Sequence, residues 1–321
     1  MVSVTPIFVV GGYLGAGKTT LVNHLLRHTG GRRIAVMVND FGELTIDADL
    51  IEGADGSVMA LAGGCVCCSF GSDLIGALQD VLQRQPPPDL ILIETSGVAL
   101  PGSVARSARL LPGLQIDGIV LMVDSETIRQ RSADPYVGEL VRQQMRDADL
   151  LIVNKVELCS PAVLADLNAW LKKVCAPGTP LIPATQAQVP ADLVLGFHRK
   201  PRVAEQGVAA DQLARWTAQA PGSGRAFATD TFVSELLLLD APLDPERLLE
   251  SLRAEKNGVV RAKGWLTDLS GQRYLLQLVG RRIDLQKLPP EAQPNGPDRL
   301  LVIGLAGFYA GWENFAAQLR A

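Results

Sequence analysis

The chain has 321 residues, enough for two hydrophobic cores at the usual roughly 100–200 residues per domain. With 47% hydrophobic and 20% charged residues it has a globular composition, and a net charge of −4 gives no basic footprint for nucleic acid or an anionic membrane surface. No run approaches the length of a transmembrane helix, and the first apolar stretch, 7–10, is too short for a secretory leader, so a cytoplasmic protein is expected.

In the first half, short apolar runs alternate with helical patterns. Strands are predicted at 7–10, 34–38, 58–61, 90–93, 118–123, 150–153 and 180–182. Several are β-branched and apolar throughout, as strands buried on both faces are. Helices are predicted at 18–27, 73–84, 103–110, 135–146 and 161–174. This alternation implies an α/β domain, a mostly parallel sheet covered by helices. The pattern fades after Thr185, and 186–224 is rich in Ala, Gln, Pro and Gly, a connector with one helix at 209–218. A smaller α+β unit follows, with strands at 231–239, 259–268, 274–279 and 300–303. Its helix spans 244–254, with Asp244 as N-cap and Pro245 at the first position. The expected division is therefore 1–190, a connector over 191–224, and 225–321.

Gly12-Tyr13-Leu14-Gly15-Ala16-Gly17-Lys18-Thr19 fits the phosphate-binding loop G-x-x-x-x-G-K-[ST] between a strand and a helix. Its glycines let backbone N–H groups wrap phosphate oxygens. Lys18 brings positive charge to the β- and γ-phosphates, and the Thr19 hydroxyl is a ligand for Mg2+. Gly12, Gly15, Ala16, Gly17, Lys18, Thr19 and Thr20 form the expected phosphate set. Leu90-Ile91-Leu92-Ile93-Glu94 has the form of a Walker B strand, with Glu94 holding Mg2+ through water and Gly97 offering its N–H to the γ-phosphate. Asn154-Lys155-Val156-Glu157 follows another strand and is one methylene longer than the guanine-reading Asn-Lys-x-Asp. A carboxylate here accepts from guanine N1–H and the 2-amino group, where adenine has no donor. The bland alternatives are a charged strand end for Glu94 and a surface Lys-Glu pair for Lys155 and Glu157.

Five cysteines is an odd number, and three of them fall within four positions in Cys65-Val66-Cys67-Cys68, after Gly63-Gly64. Thiolates are soft ligands for Zn2+, Cu+ and Co2+. Three ligands leave a position open, unlike the four of a structural zinc site, which suits a metal to be handed on. A redox pair or inert buried cysteines are the alternatives. His24 and His28, four apart on one helix, are expected to be structural, His198 solvated, and Cys159 and Cys175 small apolar residues. Arg261, Lys263, Arg281 and Arg282 are expected to form a solvated face.

These elements, in this order, resemble the CobW-type GTPases, metallochaperones related to the nickel-insertion GTPases. The resemblance covers nearly the whole chain. Asn39-Asp40-Phe41-Gly42-Glu43 is similar to the family's switch segment, usually Asn-Glu-Phe-Gly-Glu. Arg261-Ala262-Lys263-Gly264-Trp265 and Leu301-Val302-Ile303-Gly304 resemble landmarks of its C-terminal domain. The resemblance implies a transition metal, Zn2+ or Co2+, on Cys65, Cys67 and Cys68, and a site tightened by Mg2+ and GTP. It also places Asp40 and Glu43 near Mg2+ or the attacking water. The partner it implies is a client metalloprotein, neither nucleic acid nor membrane, and a homodimer is left open. A zinc-responsive regulatory module, or a P-loop ATPase or kinase with a redox cysteine cluster, are the rival readings. No arginine finger is identifiable, so intrinsic hydrolysis is expected at about 10⁻² per second or below.

Overall fold

The computed structural model describes residues 4–39, 58–63, 72–195, 232–239, 242–253, 258–289 and 297–305. The first domain opens with β1 (Thr5–Gly11), α1 (Lys18–Leu26), β2 (Ile34–Asn39), β3 (Val58–Gly63), α2 (Ser72–Gln83) and β4 (Leu90–Glu94). It continues with α3 (Pro101–Ala108), β5 (Leu114–Asp124), α4 (Ile128–Ala133), α5 (Gly138–Asp147) and β6 (Leu150–Asn154). After a 3-10 turn at Val156–Leu158 come α6 (Pro161–Val174), β7 (Leu181–Ala184) and α7 (Ala191–Leu195). The seven strands form one parallel sheet in the order β3-β2-β4-β1-β5-β6-β7.

Every residue of β1, β4 and β6 is buried, which explains their unbroken apolar sequences. Successive side chains face opposite layers. Phe8 and Val10 pack with Leu21, Val22 and Leu25 of α1, whereas Ile7 and Val9 pack with Leu74 and Leu78 of α2 and Val104 of α3. The seven predicted strands and five predicted helices of this domain all appear. α4 and α7 are additional. α4 buries only Ile128 and Ser132, and α7 is five residues ending in three buried ones, so neither is long enough to show a helical period.

The second domain comprises β8 (Phe232–Leu239), α8 (Pro245–Arg253), β9 (Val259–Thr267), β10 (Arg273–Val279), β11 (Arg282–Lys287) and β12 (Asp298–Leu305). Its sheet is antiparallel, in the order β11-β10-β9-β12-β8. Leu248 and Leu252 of α8 pack on Leu237, Leu276, Leu278, Leu300 and Val302. Asp244 Oδ1 accepts from the Glu246 N–H at 2.9 Å, the capping expected of it. β11 was not predicted because it is an edge strand paired only with β10 and largely exposed. The helix expected at 209–218 lies outside the described residues.

The two domains share a core. Val260, Val279 and Ile303 belong to the same apolar cluster as Phe8, Leu25 and Leu193. The basic residues expected as a solvated face lie at this seam instead. Arg261 is 2% exposed; its Nη1 donates to Leu193 O and Val194 O, both at 3.0 Å, and its guanidinium stacks over Phe8 at 5.1 Å. Asp117, also buried, faces it at 3.7 Å. Arg281 Nε donates to Ala148 O at 3.0 Å and Nη2 to Arg146 O at 2.9 Å, at the C-terminus of α5, where a cation also meets the helix dipole favourably. Arg282 Nη1 lies 3.8 Å from Asp149 Oδ2. Just before Arg281 and Arg282 the chain turns at Gly280, where φ is 55° and a Cβ would fall 1.7 Å from Asp149 O. A solvated face was expected of these basic residues, but the first domain packs against them.

Lys263 is half-buried in the same region. Burial lowers its pKa from the ordinary 10.5 to about 8, Asp117 opposing the shift and Arg261 and Arg32 adding to it. Between these two values the unfolded chain holds more protons than the folded one, so stability rises with pH across that window. Lys263→Met is expected to remove this rise and to stabilise the protein below pH 8 by about 1–3 kcal/mol, read from urea unfolding at several pH values.

Candidate nucleotide site

The site lies at the C-terminal end of the parallel sheet, where β1 runs into the glycine loop and α1. Gly12 has φ 143° and Gly17 φ 101°. A Cβ on Gly12 would sit 2.4 Å from Met122 O, and one on Gly17 2.6 Å from Asn154 Nδ2, so both positions require glycine twice over. At Gly15 a Cβ would meet nothing within 4 Å. The loop closes through Ala16 N–H to Tyr13 O at 3.2 Å, and α1 begins with Leu21 N–H to Gly17 O at 2.9 Å. Its first N–H groups and dipole thus face the mouth of the loop. Lys18 is buried at 9% exposure. Thr20 lies on the exposed side of the first turn.

β4 lies beside β1 with Val10 opposite Glu94, and Thr95 N–H donates to Val10 O at 2.9 Å. This register delivers Glu94, 2% exposed, to the base of the loop, where Thr19 Oγ1 donates to Glu94 Oε1 at 2.9 Å. The pair brings two hard oxygen donors together, the chemistry Mg2+ takes. Thr95 Oγ1 and Ser96 Oγ are buried alongside and make no hydrogen bond with another described residue. Gly97 packs on the glycine loop, since a Cβ there would lie 2.8 Å from Leu14 N.

The segment expected from sequence to read the base is built on β6. Asn154 is buried; its Nδ2 donates to Ala16 O at 2.9 Å, and its Oδ1 accepts from Ala187 N–H at 2.7 Å. It therefore ties the phosphate loop to the turn after β7. Lys155 has φ 63°, and its Nζ lies 2.7 Å from Asp124 Oδ2. Ser125 Oγ donates to Lys155 O at 2.9 Å. Glu157 is exposed in the 3-10 turn. Asp124, Ser125 and Ala187 were not singled out from sequence. The signal for Asp124 was an acid ending an apolar strand, opposite Asn154 in the sheet.

Asp40, Glu43, Cys65, Cys67 and Cys68 lie outside the described residues. Among the described residues no cluster of three His, Cys, Asp or Glu side chains is placed to hold a metal. His24 Nε2 pairs with Val189 O at 2.7 Å and His28 Nδ1 with His24 O at 2.8 Å, and burial lowers the His24 pKa. Both histidines serve as local ties. Cys175 is a buried core residue whose thiol is pushed up to about 11 by burial. Half-buried Cys159 has its sulfur 3.4 Å from Ser125 Oγ. No described helix is long and apolar enough to cross a membrane.

A parallel sheet with a glycine loop opening α1, Thr19 against a strand-end Glu94, and Asn154-Lys155 beside the loop defines a P-loop nucleotide-binding protein. The chain belongs to the CobW/HypB/UreG family: its nucleotide-binding domain matches residues 6–181, and the cobalamin synthesis protein CobW C-terminal domain matches 232–321. It is 31% identical to a protein named zinc chaperone CobW from Pseudomonas aeruginosa, over 93% of this chain and 87% of that one. A protein of the same name from Sinorhizobium sp is 29% identical over 94% of this chain and 92% of that one. Zinc-regulated GTPase metalloprotein activator 1 of Schizosaccharomyces pombe is 32% identical over 53% of this chain and 43% of that protein.

Asn154→Asp keeps an acceptor for Ala187 N–H but sets a carboxylate against Ala16 O. It is expected to cost about 2 kcal/mol in denaturant unfolding and to weaken nucleotide binding about tenfold in a fluorescence titration.

Proposed function

We propose that this protein is a GTP-hydrolysing metallochaperone that holds Zn2+ on Cys65, Cys67 and Cys68 under the control of the bound nucleotide and passes it to a client metalloprotein. The observation that carries the reading is the strand order β3-β2-β4-β1. β1 leads into the phosphate loop and β4 ends in Glu94. β2 leads into Asp40–Glu43, and β3 into the cysteine motif. Val10 pairs with Glu94, Glu94 with Val38, and Asn39 with Gly63, so four functional segments leave consecutive strands at one edge. At about 4.8 Å per strand, the roots of the phosphate loop and the cysteine motif are about 14 Å apart.

Lys18 neutralises the β- and γ-phosphate oxygens, and the N–H groups of Gly15, Ala16 and Gly17 surround them. Thr19 and Glu94 would hold Mg2+, Thr19 directly and Glu94 through water, and the ion would supply charge neutralisation at the phosphates. Asp40 and Glu43 are assigned to Mg2+ or the attacking water. Glu157 accepts from guanine, Asn154 holds Lys155 and Glu157 at a fixed height over the loop, and Gly97 N–H meets the γ-phosphate. Loss of that phosphate releases the segments leaving β2 and β4, and the thiolates lose their closed arrangement. Zinc is preferred over cobalt as cargo because thiolates favour it and the relatives are named for zinc.

The test is a Zn2+ titration against a competing chelator, in Mg2+ with a non-hydrolysable GTP analogue and then with GDP. Zinc is expected to bind at least about tenfold tighter with the analogue, a coupling of about 1.4 kcal/mol, and Cys67→Ala should abolish the difference. Equal affinity in the two nucleotide states overturns the chaperone reading and leaves a GTPase with a passive thiol site.

A further inference from the structure

The loop that follows Glu94 is held from outside the nucleotide motifs, by a residue of α5. Gln144 is 1% exposed, and its Nε2 lies 3.1 Å from Gly97 O and 2.7 Å from Ala99 O. An amide nitrogen carries two hydrogens, and here each has a carbonyl acceptor. Three residues on, Asp147 Oδ2 accepts from Gly102 N–H at 3.2 Å while its Oδ1 accepts from Gln143 Nε2 at 2.9 Å. α5 therefore fixes the loop on both sides of its crossing into α3. On its opposite side the loop bears on the phosphate loop, because Gly97 touches the backbone of Leu14. The peptide at Gly97 is thus clamped between Gln144 and the loop that carries the phosphates.

We propose that Gln144 is a positioning residue for the γ-phosphate: it holds Gly97 at the height where its N–H meets the third phosphate of GTP. This deepens the GTPase reading above and rests on it. The physical reason is selectivity. Contacts to the α- and β-phosphates come from Gly15 to Thr19, which Gln144 does not touch. The Gly97 contact exists only when a γ-phosphate is present. Removing the two donors of Gln144 leaves Gly97 O and Ala99 O to turn toward water, and the loop loses its height without disturbing the diphosphate site. A buried glutamine that merely stabilised the fold would weaken both nucleotides alike.

Gln144→Met keeps the length of the side chain and removes both donors. In the full-length protein, with Mg2+ and fluorescent GDP or a fluorescent non-hydrolysable GTP analogue, GDP affinity is expected to stay within about twofold of the unaltered protein. Analogue affinity should fall about tenfold, with single-turnover GTP hydrolysis falling in parallel; one charge-assisted hydrogen bond is of that order. Unchanged analogue affinity, or an equal loss for both nucleotides, overturns the assignment of Gln144 while leaving the GTPase reading in place. Failure of the unaltered protein to bind guanine nucleotides overturns both. Should the variant not fold, amide hydrogen exchange on the unaltered protein decides: the Gly97 N–H is expected to be protected with the analogue and not with GDP, and equal exchange in the two states sinks the proposal.

Discussion

The register between β1 and β4 is the constraint on which the site depends. Val10 stands opposite Glu94, and this pairing sets the strand-end carboxylate 2.9 Å from the Thr19 hydroxyl at the first turn of α1. A slip of one residue would turn Glu94 into the opposite helical layer and put Ile93 in its place, because strand side chains alternate. The slip is resisted by the core: Ile91 and Ile93 pack with α2 and α3, Leu90 and Leu92 with α1, and neither set fits the other layer without voids. Apolar packing on both faces thus specifies the position of one buried acid, and with it the meeting of that acid with the first turn of α1 beside the glycine loop.

A second level of organisation comes from the segment after β7. Ala187 is tied to Asn154, Val189 to His24, Leu195 to Arg32, and Leu193 and Val194 to Arg261. Within nine residues this strap meets the phosphate-loop support, the helix that follows it, and the second domain. Arg261 is the costly member. A desolvated guanidinium is expensive, and here Nη1 meets two carbonyls, the ring of Phe8 lies beneath it and Asp117 faces it at 3.7 Å, while Nε is buried with no hydrogen bond among the described residues.

The strands and major helices were legible in the sequence because a parallel sheet buried on both faces writes itself as unbroken apolar runs, with turn residues between them. The phosphate loop was legible because backbone conformation dictates its glycines. β11 was not, since an edge strand with exposed alternate residues carries little apolar signal. The seam arginines were misjudged for a related reason: a charged residue on a strand looks solvated until another domain is placed over it. Gln144 is invisible at that level, as a polar residue inside an amphipathic helix has no motif, and its partners are carbonyls 45 and 47 positions away. Asn154 was placed in the nucleotide-reading segment by its motif, and its amide bonds to Ala16 and Ala187 could not be read from sequence.

The grip of Arg281 on the last carbonyls of α5 bears on how the chain can be divided. Residues of the second domain complete the apolar cluster around Phe8, and Arg261 and Arg281 satisfy carbonyls of α7 and α5 that the first domain leaves to them. A fragment ending before β8 would keep every nucleotide motif yet expose the apolar flank of its own sheet. The folding unit therefore spans both domains, and its minimal inheritable piece is larger than the P-loop domain that the motifs outline.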